Sequence, residues 1–164
     1  MTNGKRRPAR LRKQRGLAAI EFALVFTVLF ILLYGLTTLG AVLYTQQAVS
    51  RAAEEGARAV MMLTPQPTSG DTRVKDAVYD ALAGSLIVPP SVGSSLSARR
   101  SWIVGKVTVN VDRGSPSGGI AQVAVSVSYP YNDSSRILPA IPLVDSAWVP
   151  QQLRSRTTAP LKSS

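Results

Sequence analysis

The sequence predicts an α+β protein: one long N-terminal helix packed on a small antiparallel sheet. Three observations predict it. An almost uncharged apolar run extends from Leu17 to about Leu43. A helical stripe continues it, with Val49, Ala53, Gly56, Val60 and Leu63 recurring at spacings of four, three, four and three. Farther on, two stretches alternate valine with polar residues, the signature of half-buried strands.

The first element is the basic segment 1–16. Lys5, Arg6, Arg7, Arg10, Arg12, Lys13 and Arg15 account for seven of the nineteen bases, so the net charge of +10 is concentrated in a tail. The remaining twelve bases face all nine acids, leaving +3 for the rest of the chain. A composition this polar predicts a leader without structure of its own. A basic tail can bind nucleic acid. These bases carry no interleaved aromatic to stack on a nucleotide, and they directly precede an apolar helix. They therefore fix topology by the positive-inside rule, and no nucleic-acid partner is expected.

Residues 17–44 form the second element, a transmembrane helix. A bilayer core about 30 Å thick needs roughly 20 apolar helical residues. Glu21 is the only formal charge in the run. An intramembrane carboxylate costs about 2–3 kcal/mol on insertion scales and marks a functional site by default. Gly35 and Gly40 lower local helix propensity by about 1 kcal/mol each relative to alanine. The hydroxyls of Thr37 and Thr38 can bond back to helix carbonyls, and Tyr44 falls where an interfacial aromatic belt belongs. The run is too long for a cleaved signal core, although Arg6-Arg7 matches part of a twin-arginine signal. This orders the chain as leader, anchor and extracytoplasmic domain 45–164, the N-terminus in the cytoplasm.

The helix continues past the membrane, with Arg51–Glu55 and Glu54–Arg58 as i,i+4 pairs on its polar face. Thr64-Pro65-Gln66-Pro67-Thr68-Ser69-Gly70 breaks it. Asp71 or Thr72 then caps a second helix, with Val74, Ala77, Val78, Ala81 and Leu82 on one face and Gly84 as its stop. Residues 88–101, rich in Pro, Ser and Gly, predict a surface loop. Ile103, Val107, Val109 and Val111 then mark one face of a strand, and Val123, Val125, Val127 and Tyr129 that of its hairpin partner. The Gly/Pro loop 114–119 joins them and Pro130 ends the hairpin. Pro139 and Pro142 mark a loop, and 149–158 predicts a third strand. A lone hairpin is marginal, so its valine face needs the outer half of the long helix.

Candidate chemistry is sparse. The chain has no Cys and no His, which removes disulfides, thiolate nucleophiles, imidazole bases and the usual zinc ligands. Asp71, Asp76, Asp80, Asp112, Asp133 and Asp145 have no metal-ligand spacing. Asp76 and Asp80 share a helix face and read as solvated surface. The loop 114–119 lacks the lysine of a phosphate loop. No cofactor and no small-molecule substrate are expected, and no enzyme.

The ordered run Arg15-Gly16-Leu17-Ala18-Ala19-Ile20-Glu21-Phe22 resembles the processing site of type IV prepilins. The resemblance implies cleavage by a prepilin peptidase between Gly16 and Leu17, which becomes the N-methylated terminus. It gives Glu21 the role of the assembly glutamate, with Phe22 following it. Arg51-Ala52-Ala53-Glu54-Glu55-Gly56-Ala57-Arg58-Ala59 is similar to a recurrent stretch of TadE-like proteins of tight-adherence (Tad/Flp-type) pilus systems. That likeness implies a pseudopilin or minor pilin of the inner membrane. Its partners are the peptidase, other pilins and inner-membrane assembly proteins, and its roles are pilus assembly, adhesion and biofilm formation.

Three other readings compete. In an ordinary signal anchor Glu21 merely snorkels to the headgroups; the Gly-to-Glu spacing weighs against this. A pseudopilin of a secretion or DNA-uptake machine shares the processing motif. A signal-anchored periplasmic enzyme needs a Ser–Lys or carboxylate pair, and no recognisable motif supplies one.

Overall fold

The computed structural model describes residues 11–117, 120–132, 135–138 and 149–161. In order they form α1 (Leu11–Met62), α2 (Thr72–Gly84), a 3₁₀ turn (Pro90–Val92), α3 (Leu96–Lys106), β1 (Thr108–Ser117), β2 (Ile120–Pro130) and β3 (Gln152–Pro160). The chain divides into two compact units, Met1–Leu39 and Gly40–Ser164. The α+β class and the three-stranded antiparallel sheet match the sequence expectation.

In the first unit α1 begins at Leu11, six residues before the predicted start. Lys, Arg, Gln and Leu are good helix formers, and Gly16 costs only about 1 kcal/mol, so the last part of the leader is helical rather than unstructured. From Leu17 to Leu36 every large aliphatic and phenylalanine side chain remains half or more exposed. The Thr27 and Thr37 hydroxyls donate to the carbonyls of Ala23 and Leu33 at 2.7 and 2.8 Å. Thr38, expected to do the same, has no such bond.

The second unit holds the core. Val49, Ala52, Ala53, Ala57 and Val60 of α1 pack with Val74, Val78 and Leu82 of α2 and the inner faces of the strands. Gly56 lets these layers approach closely: a Cβ there would lie 2.6 Å from Val78 Cγ2 and 2.9 Å from Val125 Cγ1. The predicted stripe and the hairpin's valine face thus meet, with α2 as a further partner.

After the breaker, Gly70 takes φ 77°, which favours glycine. Its N–H donates to Val111 O at 2.8 Å, tying the breaker to β1. Of the two caps expected for α2, Asp71 or Thr72, it is Asp71 that serves, accepting the Arg73 N–H at 2.9 Å. The same carboxylate pairs with the Arg73 guanidinium at 2.8 Å. That hydrogen bond holds the Asp71 carboxyl below the usual carboxylate range despite partial burial.

The predicted loop 88–101 is a correction. Pro, Ser and Gly dominate only as far as Ser95, whose hydroxyl accepts the Ala98 N–H and opens α3. Ile103 is therefore a helical residue, buried in the core rather than leading a strand. Arg100 reaches from α3 to α2 and pairs with both Asp80 and Asp76, the latter at 2.8 Å. Both carboxylates are solvent-exposed, as expected, and with Arg100 they also form an ion-pair triad between the two helices. On α1 the charged face also differs: Arg58 pairs with Glu55 at i,i+3, 3.3 Å apart, in place of the two i,i+4 pairs.

In the sheet, β2 is central. Val109 lies opposite Val127, and Val127 opposite Ser155. Strand β1 runs on through Gly114 to Ser117 with a register shift where a loop was expected; a proline is tolerated at such an irregularity on an edge strand. Strand β3 spans 152–160 rather than 149–158. Buried Tyr129 lies 3.0 Å from both the Ile87 and Ser135 carbonyl oxygens, which share its single proton. Gly118, Gly119, Asp133, Asp145, Pro139 and Pro142 lie outside the described residues.

Candidate functional site

The four residues singled out by sequence all lie on the first unit's part of α1. Helix geometry places Leu17 and Glu21, four apart, on one face and one turn from each other. Gly16 precedes Leu17 inside the same helix, so the Gly16–Leu17 peptide bond is part of regular helical backbone. A Cβ at Gly16 would meet no atom within 4 Å. Packing within the chain therefore does not require glycine here, in contrast to Gly56.

Phe22 lies one step around the helix from Glu21 and starts a ladder that sequence reading overlooked. Its ring stacks on Phe26 with centroids 5.9 Å apart, and Phe26 stacks on Phe30 at 6.4 Å. The i,i+4 spacing of the three phenylalanines was the available signal.

Among the described residues, one helix is long and apolar enough to cross a membrane. It runs Gly16–Met62, reaches a mean hydropathy of 2.5, and buries none of its most apolar window within the chain. Such an apolar surface requires lipid or partner helices around it. Among the described residues no three carboxylates cluster as metal ligands. In the second unit, Tyr44 accepts a hydrogen bond from Leu86 N at 3.2 Å.

The family model described as TadE-like protein matches residues 16–58. The chain carries a TadE-like region. It starts at Gly16, includes Leu17, Glu21, Phe22 and the whole phenylalanine ladder, and ends at Arg58 within α1. The C-terminal sheet lies outside it. TadE-like proteins are a pilus-associated structural family, and the long apolar N-terminal helix is by length and composition suited to anchor the chain in a membrane. Comparison with curated proteins and with solved structures gives no match.

Proposed function

We propose that this protein is an inner-membrane TadE-like pseudopilin or minor pilin that takes part in assembling an adhesive Tad/Flp-type pilus after prepilin peptidase cuts between Gly16 and Leu17. The observation that carries the reading is the TadE-like match, which begins at the glycine of the basic–Gly–apolar–Glu order. The unneeded space at Gly16 supports it. A residue that costs the helix about 1 kcal/mol and gains no packing contact suits a peptidase subsite with no room for a side chain. It also makes local opening of the helix at the scissile bond easier.

In this reading the seven leader bases hold residues 1–16 in the cytoplasm and the domain 45–164 is exported. Cleavage leaves a charged amine on Leu17 at the end of an apolar helix. An unpaired charge there is expensive once helices bundle away from water. Glu21, one turn on, meets the amine of a neighbouring pilin subunit. The pair offsets both desolvation costs and fixes register, the best-attested use of buried polar groups.

N-terminal sequencing of the protein extracted from membranes is the test. The mature chain is expected to start at Leu17, and Gly16→Val is expected to leave a longer, uncut form. A start at Met1, or beyond Phe22, would overturn the reading.

A further inference from the structure

The two edges of the sheet are treated differently. Backbone pairing determines which groups point outward. The Tyr131 and Leu161 N–H groups donate across the β2–β3 boundary to Gln151 and Ala121. With the register of the pair, this turns the odd-numbered residues of β3 toward β2. The N–H and C=O groups of Arg154, Arg156 and Thr158 therefore point away from the sheet.

At the opposite edge, β1 is engaged by the chain itself. Gly70 N donates to Val111 O at 2.8 Å, and Arg113 N donates to Ser69 Oγ at 3.1 Å. On β3 the one hydrogen bond reaching the edge, among the described residues, comes from Gln46 Nε2 to Arg154 O at 3.0 Å. Among the described residues the outward N–H of Arg154 and the outward groups of Arg156 and Thr158 have no partner, and such an edge is a template for another strand.

Charge selects the occupant. The side chains of Arg154, Arg156 and Thr158 are exposed. Arg154 and Arg156 border a concavity of about 640 Å³ whose lining includes Asn110, Ser126 and Ser128. The Arg154 guanidinium is oriented by Gln152 Oε1 at 2.6 Å, a neutral partner. Among the described residues, neither arginine pairs with a carboxylate. Antiparallel pairing of β3 with β3 of a second copy, in its central registers, sets arginines opposite or beside each other, and like charges directly opposite are destabilising. Among the described residues no acidic strand is available for this edge. The carboxylates of those residues lie on α1 and α2, at the α2 cap, and on β1, whose outer edge is engaged.

We propose that the outer edge of β3 accepts an extended, acidic segment of a different protein as a fourth antiparallel strand. The partner's backbone pairs with the Arg154 N–H and with Arg156 and Thr158, and its alternate carboxylates lie beside Arg154 and Arg156. Backbone bonds supply affinity and the arginines supply selectivity, as in strand addition generally. The proposal does not depend on cleavage at Gly16.

The test uses the full chain in detergent micelles and three labelled nine-residue peptides. One alternates Glu with Thr, one alternates Lys with Thr, and one has the composition of the first with its glutamates clustered. Fluorescence anisotropy is expected to show the alternating acidic peptide binding at least about ten-fold tighter than either control. Hydrogen exchange is expected to slow at the Arg156 and Thr158 amides. Thr158→Pro deletes one outward donor at a position where an edge strand tolerates proline. It is expected to weaken binding roughly five-fold, the effect of one backbone hydrogen bond. The exposed double variant Arg154→Glu/Arg156→Glu tests charge without touching the backbone, and should reverse the preference toward the Lys peptide. Equal binding of all three peptides, binding without amide protection, or no binding would overturn the proposal. So would self-association of the wild-type chain that Thr158→Pro abolishes, which would make a second copy the occupant.

Discussion

Gly56 offers the sharpest test of how α1 is joined to the C-terminal domain. Replacing it with alanine adds one methyl where α1, α2 and β2 converge. That methyl would lie 2.6 Å from Val78 Cγ2 and 2.9 Å from Val125 Cγ1, both closer than carbon atoms normally approach. The obstructing groups are valine methyls, which are stiff at χ1, and they belong to two different elements, so neither can swing clear cheaply. Overpacking of this kind costs about 1–3 kcal/mol, and two simultaneous clashes argue for the upper half of that range. Alanine recovers about 1 kcal/mol of helix propensity. The net destabilisation is about 1–2 kcal/mol, or a fall in Tm of about 4–8 °C for a domain of this size. Tryptophan fluorescence during thermal unfolding reports it, because Trp102 lies beside Tyr129, with ring centroids 6.2 Å apart. Gly16→Ala and Gly35→Ala are the controls, since no atom lies within 4 Å of a Cβ at either position. If Gly56→Ala were as stable as the wild type while the controls were unchanged, the close approach of α1 to Val78 and Val125 would be refuted.

Glu21→Ala is expected to be cleaved and inserted normally but to fail to support pili, with Glu21→Asp retaining part of the function; electron microscopy of stably expressing cells reads this out. Normal piliation by Glu21→Ala would favour a glutamate that only snorkels. Tyr129→Phe removes the proton shared by two carbonyl oxygens, and leaving buried acceptors unpaired is expected to cost about 1–3 kcal/mol in a denaturant titration. Burial, with Tyr131 nearby, pushes the Tyr129 hydroxyl above its ordinary value of 10.0. Its folded pKa is raised, so its stabilising contribution is complete below pH 10.0 and is lost progressively as pH rises beyond it. Alkaline melts of Tyr129→Phe should lack that component. Asp71→Ala deletes the cap on α2 and is expected to cost about 1 kcal/mol. The Asp71 carboxyl is lowered in the fold by its bond to Arg73. Its contribution is present above the unfolded carboxylate pKa and fades as pH falls through the folded one, so wild type and variant should converge in acid.

The sequence by itself determined the features that repeat along the chain. The apolar run after Gly16 is assigned by its length and composition, and the stripe through Val49, Ala53 and Val60 and the alternation from Val123 to Tyr129 by their periods, all without reference to distant residues. The α2 cap, narrowed by sequence to Asp71 or Thr72, was legible for a related reason: a cap and the N–H that donates to it are two residues apart. Gly16, Leu17, Glu21 and Phe22 were named as expectations from the resemblance of residues 15–22 to a prepilin processing site, which is also a local pattern. Only the tertiary structure decided the rest. Ile103 shares an apolar character with both helix and strand, and its helical assignment depends on the Ser95 cap and on the core that buries it. Gly56 looked like any small residue on a stripe until Val78 and Val125 approached it from elements 22 and 69 positions away along the chain. Arg100 and its two aspartates come from separate helices. Which groups of the β1 and β3 edges are engaged among the described residues depends on where Ser69, Gly70 and Gln46 arrive. Each of these properties is set by which distant atoms share a boundary, and a pattern read along the chain carries no information about that.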